Sequence, residues 1–203
     1  MCLAIFLLAG ALRVSGQGVV HFTPSPQIFY APVPLSRDLD LNGDGVTDFV
    51  LVSDSGGASL APLGNNRLVT IPSPPPDLGS FVAALDSGFL VSPSIYPPYQ
   101  WYGRQTDQFG RAQIGAQVDI GRLGYFFEKT AFVGVSFEIS GTTHYGWIRV
   151  SNPLGITAGE FVDWAYAADP NAPLAAGVVP EPSTVIFMIA GLVVLGFKLR
   201  PRS

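Results

Sequence analysis

AFVGVSFEIS, residues 131–140, alternates apolar side chains with small or polar ones. The apolar positions are Val133, Val135, Phe137 and Ile139, and the positions between them are Gly134, Ser136 and Glu138. A period of two residues is typical of a half-buried antiparallel strand, because successive side chains point to opposite faces. GTT, residues 141–143, then turns the chain into HYGWIRVS, residues 144–151. The two segments predict a β-hairpin.

Segments of similar character lie on both sides of this hairpin. They are residues 46–53, 67–71, 112–120 and 160–166. In the last of them we expect Phe161 and Asp163 to lie on opposite faces. No helical period extends over ten residues outside the two ends of the chain, and turn signals recur about every 8–12 residues. The sequence therefore predicts an all-β fold over residues 17–170, an antiparallel β-sandwich or jelly-roll.

The charge balance narrows the class of protein. The 203 residues include 11 basic and 15 acidic side chains, and an aromatic content of 12% excludes a disordered polar chain. Four basic residues and no acidic residue lie in residues 1–16 and 183–203, so residues 17–182 carry 7 basic and 15 acidic side chains, a net charge of −8. Nucleic-acid binding needs a basic surface, so we expect no nucleic-acid partner.

The amino-terminal segment, residues 1–16, resembles a secretory signal peptide. Its apolar run, residues 3–12, is too short to span a bilayer, and Ser15 and Gly16 precede a plausible cleavage point before Gln17. No basic residue precedes the run, which departs from the usual pattern. Cys2, the one cysteine, lies inside this segment, so a cleaved chain has no thiol chemistry.

The carboxy-terminal end has three parts in a fixed order, preceded by a predicted linker at residues 171–179. The first part is the motif Val179, Pro180, Glu181, Pro182, Ser183 and Thr184. An apolar run at residues 185–197 follows, and a basic tail with Lys198, Arg200 and Arg202 ends the chain. A helix over residues 185–199 would be about 22 Å long, which is short for a single transmembrane helix. The positive-inside rule places the basic tail in the cytoplasm.

This tripartite end, residues 180–203 with Val179, resembles the PEP-CTERM sorting signal of Gram-negative bacteria. The resemblance implies export, transient anchoring in the inner membrane and processing near the motif by an exosortase. It also implies a final location at the cell surface or in the extracellular matrix. For the domain before the signal, it implies an uncharacterised extracellular β domain without known chemistry.

DLNGDGVTD, residues 40–48, is the sharpest chemical motif. Its candidate metal ligands are Asp40, Asn42, Asp44, the Val46 carbonyl and Asp48, at positions 1, 3, 5, 7 and 9. This spacing resembles the Asp-x-Asn-x-Asp-Gly-x-x-Asp loops of secreted calcium-binding repeats. Ca²⁺ prefers six to eight oxygen ligands, which alternate residues of a tight loop can supply. Position 12 is Leu51, not the glutamate of an EF-hand. A turn that merely begins a strand is the alternative.

Aromatic residues beside proline-rich segments suggest a second site. Tyr99, Trp101 and Tyr102 are candidates for stacking against a ligand, although such residues more often pack a loop onto a sheet. Together with calcium and a sandwich fold they leave open a calcium-dependent carbohydrate-binding module that acts on secreted polysaccharide.

A secreted hydrolase is the less favoured alternative, and we expect that the protein is not an enzyme. His144 with Ser136 and Asp163, or a carboxylate pair among Glu128, Glu138 and Glu160, would be its catalytic groups. No Gly-x-Ser-x-Gly or His-Glu-x-x-His motif is present.

Overall fold

A computed structural model of the chain describes residues 18–24, 27–30, 34–72, 79–118, 121–152 and 158–179. Within these ranges the chain is all-β, and no helix is long and apolar enough to cross a membrane. The predicted signal peptide and the predicted transmembrane helix lie outside the described residues. In chain order the strands are β1 (Val19–Phe22), β2 (Gln27–Tyr30), β3 (Leu35–Leu39), β4 (Phe49–Asp54), β5 (Gly57–Pro62), β6 (Arg67–Pro72), β7 (Ser80–Val82), β8 (Leu90–Val91), β9 (Gln100–Gly103), β10 (Ala112–Val118), β11 (Gly121–Gly124), β12 (Lys129–Ile139), β13 (Thr142–Asn152), β14 (Ala158–Ala167) and β15 (Leu174–Ala175).

The predicted hairpin is confirmed as β12 and β13, which pair without interruption from Lys129 with Asn152 to Ile139 with Thr142. The turn contains two residues, Ser140 and Gly141, rather than the three predicted. Both have positive φ, 50° and 80°. Two-residue hairpin turns of this kind match the right-handed twist of the flanking strands, so the register of the longest pair in the sheet is set locally.

One continuous sheet contains thirteen of the described strands. Its order is β1-β14-β13-β12-β6-β7-β10-β5-β4-β3, with β2 on β14, β9 on β6 and β11 on β10. Phe49 and Leu51 of β4 share one core with Val135 of β12 and Phe161 of β14, so the sheet curls until its two ends pack on each other. The fold is therefore sandwich-like, as predicted. The purely antiparallel pairing is wrong at one point, because β7 and β10 run parallel.

A bulge in β14 explains the placement of Phe161 and Asp163. Two residues apart, they would share a face in a regular strand. The register with β13 shifts at this point, so that Val150 pairs with Phe161 while Arg149 pairs with Asp163. Phe161 consequently lies in the main core and Asp163 bonds to Arg149, which matches the predicted opposite faces.

The central part of β12 is buried on both faces, so the half-buried strand predicted there is wrong. Gly134 and Ser136, on the face away from the main core, are buried as well. The chain between β7 and β9 folds over this face, and Leu85 and Val91 pack there with Val69. The alternation within β12 carries no information about this distant covering segment.

Residues 171–179, predicted to be a linker, pack against the domain instead. Leu174 and Ala176 are buried, and β15 pairs with β8. The indole Nε1 of Trp147 donates a hydrogen bond to the carbonyl oxygen of Val178 at 3.2 Å. The packed domain therefore reaches to within two residues of Pro180.

Substitution of Gly134 tests the double burial of β12. A Cβ at this position would lie 2.6 Å from Val69 Cγ2 and 3.0 Å from Leu85 Cδ1. We expect Gly134→Ala to lower the free energy of unfolding by about 1–3 kcal/mol through overpacking, measured by urea denaturation of the purified chain. Gly103→Ala is the matched control, since its Cβ would meet nothing closer than 3.8 Å. Equal stability of the two variants would contradict the second packed face.

Candidate functional site

The loop between β3 and β4, which we call the Asp-rich loop (residues 40–48), is held by its own side chains. The carboxylate of Asp40 accepts hydrogen bonds from the backbone amides of Gly43 at 2.7 Å and Gly45 at 2.8 Å. Asn42 Oδ1 accepts from the amide of Asp44 at 3.1 Å, and Asp44 Oδ1 accepts from the amide of Val46 at 2.8 Å. Short polar side chains stabilise such turns by replacing backbone partners.

Asp48 differs from the other acids of the loop because it is buried. Its Oδ2 accepts a hydrogen bond from the amide of Leu41 at 2.8 Å, and its Oδ1 accepts one from Asn66 Nδ2 at 3.2 Å. Burial is the largest cause that raises the pKa of Asp48 to about 6, and the negative charges of Asp40 and Asp44 add to it. The three carboxylates therefore repel one another at neutral pH.

The fit of the loop to a hard cation is partial. Three carboxylates and an amide oxygen are the donors that Ca²⁺ prefers, and an oxygen that accepts one hydrogen bond keeps a second lone pair. Among the described residues, however, no group of three or more His, Cys, Asp or Glu side chains is arranged to hold a metal ion. The types of donor group in the loop suit calcium, whereas the acidic side chains are not arranged around one point.

Asn66, which the sequence analysis missed, connects this loop to the rest of the sheet. Its Nδ2 donates to the Asp48 carbonyl at 3.0 Å as well as to the Asp48 carboxylate, and its Oδ1 accepts from the amide of Glu138 at 3.0 Å. Asn65 Nδ2 bonds to the Glu138 carboxylate at 3.1 Å. An asparagine in a polar turn gives no signal in the sequence that it will be buried, so tertiary structure alone reveals this role.

A polar groove lies on the sheet face opposite the main core. The pairings of β9, β6, β12 and β13 place Gly103, Arg67, Ser136 and Tyr145 in one row. Because Gly103 and Ser136 are small, the row leaves space above it. Two adjoining cavities of about 300 Å³ and about 340 Å³ lie here, and Asn65, Arg67 and Trp101 line both. We call the two cavities together the Trp101 groove.

The three predicted stacking residues separate in the structure. Trp101 is half-buried at the wall of the groove, with its ring centroid 5.8 Å from that of Tyr145. Tyr99 packs edge-on against Phe89 at a centroid distance of 4.9 Å. Tyr102 is wrong as a stacking residue, because its side chain is fully buried in the main core and its hydroxyl donates to Asp107 at 2.7 Å.

The candidate hydrolase residues are not assembled. His144 is buried, with Nδ1 2.9 Å from the Ala167 carbonyl and Nε2 3.1 Å from Thr142 Oγ1. Ser136 pairs across from Tyr145 while Phe137 pairs with His144, so Ser136 and His144 face opposite sides of the sheet. Arg149 and His21 engage the Asp163 carboxylate instead. These three residues of the less favoured hydrolase alternative therefore do not form a triad.

The sorting motif begins where the described structure ends. Val179 is exposed, whereas the other motif residues and the basic residues of the tail lie outside the described residues: Pro180, Glu181, Pro182, Ser183, Thr184, Lys198, Arg200 and Arg202. A family model described as the PEP-CTERM protein-sorting motif matches residues 178–203. The chain carries a PEP-CTERM sorting signal. The signal supports an exported, exosortase-targeted protein that is directed to the cell envelope or surface. Comparisons with curated proteins and with solved structures find no match.

Removal of the Asn66 side chain tests the polar connection between loop and sheet. We expect Asn66→Ala to reduce the free energy of unfolding by about 1–3 kcal/mol, because the amide of Glu138 and the buried Asp48 carboxylate lose a partner. Asn65→Ala is the control, since the exposed Asn65–Glu138 contact should contribute less than about 0.5 kcal/mol. Chemical denaturation of both variants measures the difference, and a loss for Asn66→Ala no larger than for Asn65→Ala would refute the connection.

Proposed function

We propose that the chain is an exported precursor that an exosortase processes near residues 180–184. In this proposal the export machinery translocates the acidic β domain, and the apolar run at residues 185–197 anchors it transiently in the inner membrane. Processing then leaves the domain at the cell surface or in the extracellular matrix. The observation that carries the proposal is the sorting-motif match at residues 178–203.

The end of the domain supports this arrangement. Leu174 and Ala176 are buried and Trp147 bonds to the Val178 carbonyl, so the packed domain is followed directly by the motif in the sequence. An enzyme that acts near residues 180–184 would then work close to the surface of a folded domain.

Changing the motif tests the processing step. We expect a Pro180→Ala, Glu181→Ala, Pro182→Ala variant, expressed in a host with its exosortase, to keep its carboxy-terminal tail, because the changes remove the motif that the enzyme recognises. Carboxy-terminal mass spectrometry after cell fractionation provides the measurement. Pro170→Ala, ten residues before the motif, should be processed like the natural chain. The natural chain itself should lose its tail only in a host that contains the exosortase. Natural protein that is released with an intact carboxy-terminal tail would contradict the proposed processing.

We also propose that the Asp-rich loop holds one structural Ca²⁺, with Asp40, Asn42, Asp44, the Val46 carbonyl and Asp48 as ligands. Burial is the main cause of the raised pKa of Asp48, and the nearby charges of Asp40 and Asp44 add to it; a cation beside the three carboxylates would offset both effects, which supports the proposal. Bound calcium would neutralise the negative charge of the loop carboxylates and would stabilise the connection between β3 and β4. Its role is structural, and no catalytic step is assigned to it.

Chelation tests the calcium proposal. We expect the melting temperature of the purified chain to fall by several degrees when excess chelator replaces millimolar CaCl₂, because a ligand that binds only the folded state stabilises it. Thermal unfolding followed by circular dichroism gives the measurement. Asp44→Ala should abolish the difference, while Asp86→Asn, an exposed acid outside the loop, should preserve it. Superimposable melting curves of the natural chain in calcium and in chelator would count against the site.

Polysaccharide binding is the second candidate function, and the Trp101 groove favours it. Sugar rings stack on aromatic side chains, and small-ligand sites combine such an apolar wall with a few oriented polar groups. A third cavity of about 270 Å³, lined by Thr47, Asp48, Asn66 and Glu138 among others, lies between the Asp-rich loop and this groove. The link through Asn66 would make binding in the groove depend on calcium in the loop.

A further inference from the structure

The two halves of the Trp101 groove differ in charge. The first cavity is lined by Arg67 and by the carboxylate of Glu138, so its charges offset each other. The second is lined by Arg67 and Arg104, together with amides, hydroxyls and glycines, and no acidic residue contributes to its lining. The cavity is net positive although residues 17–182 as a whole carry a net charge of −8. Its local field favours an anion.

The two arginines are available for a ligand. The salt bridges among the described residues join Arg111 to Asp54 and both Arg149 and His21 to Asp163, and none of them includes Arg67 or Arg104. Both side chains are exposed at the groove. Arg67 lies close enough to Tyr145 that its positive charge opposes the rise in the pKa of that phenol, which burial causes. Arg67 and Tyr145 line the same cavity, so this charge lies at the groove.

We propose that the Trp101 groove binds a polysaccharide that bears carboxylate groups, with the carboxylate on Arg67 and Arg104 and a sugar ring against Trp101. A guanidinium recognises a carboxylate through two parallel hydrogen bonds, which gives both affinity and orientation. The inference rests on the polysaccharide binding proposed above, and it adds the charge of the ligand and the residues that recognise it.

The shape of the groove favours a chain of sugars over a single small molecule. The two cavities share Asn65, Arg67 and Trp101, so adjacent units of one ligand would occupy them in succession. Each cavity lies near the lower end of the roughly 300–1,000 Å³ range of ligand sites. The carboxylate unit would occupy the second cavity, because Glu138 would repel it from the first.

Binding to three soluble polymers tests the proposal, with the full-length chain in mild detergent. The probes are polygalacturonate, neutral dextran and dextran sulfate, and affinity electrophoresis or calorimetry gives the dissociation constants in calcium-containing buffer. We expect the Arg67→Gln, Arg104→Gln variant to bind polygalacturonate at least about tenfold more weakly, the loss expected for one charge-assisted hydrogen bond. Trp101→Ala should weaken binding to a similar extent.

A variant with Arg111→Gln and Lys129→Gln is the matched control, because it also removes two positive charges, both outside the groove, and should leave binding unchanged. Melting curves establish that each variant is folded. If dextran and polygalacturonate bind with equal affinity and Trp101→Ala abolishes binding of both, the proposed polysaccharide binding stands. The proposed selectivity for acidic polysaccharides is then overturned. An equal loss of polygalacturonate and dextran sulfate binding in this control variant would indicate a non-specific charge effect and overturn the site. Absence of binding to all three polymers would overturn both proposals, while tail processing would stand independently.

Discussion

The double packing of the β12–β13 hairpin is the constraint on which the rest of the structure depends. One face of β12 supplies Val133 and Val135 to the main core, and on the other face Gly134 lies under the chain between β7 and β9. The absence of a side chain at Gly134 allows Val69 and Leu85 to approach the strand. A larger residue there would separate the covering layer from the sheet.

Where that covering layer ends, the sheet face remains open and the Trp101 groove begins. Four paired strands therefore form the floor of the groove, and Pro93 of the covering chain and Trp101 of β9 border it. Rigid floors suit ligand recognition, because the polar groups are held in place before the ligand arrives. The same hairpin also contacts the carboxy-terminal end of the domain, since Trp147 Nε1 donates a hydrogen bond to the Val178 carbonyl just before the sorting motif.

The Asp-rich loop and the groove meet at two asparagines. Asn66 satisfies the buried Asp48 and the backbone of β12, and Asn65 orients the carboxylate of Glu138 at the edge of the groove. Buried polar groups of this kind are costly unless each of them is bonded. Asn66 therefore joins the Asp-rich loop to the backbone of β12 at Glu138, next to the groove.

Local patterns by themselves determined the all-β class, the hairpin and the sorting signal, because each depends on residues adjacent in the sequence. Alternation identifies β12, a glycine between two strand patterns indicates a turn but not its exact residues, and the Pro-Glu-Pro motif with its apolar run identifies the signal. Strand β5 shows no alternation, since it is buried on nearly all sides, and so it escaped prediction. Tertiary structure alone decided that Tyr102 is a core residue, that Asn66 is a bridge and that Arg67 lies in a groove. These outcomes depend on strand register and on a covering segment distant in sequence, and a one-residue shift in register would reverse which side chains face the groove.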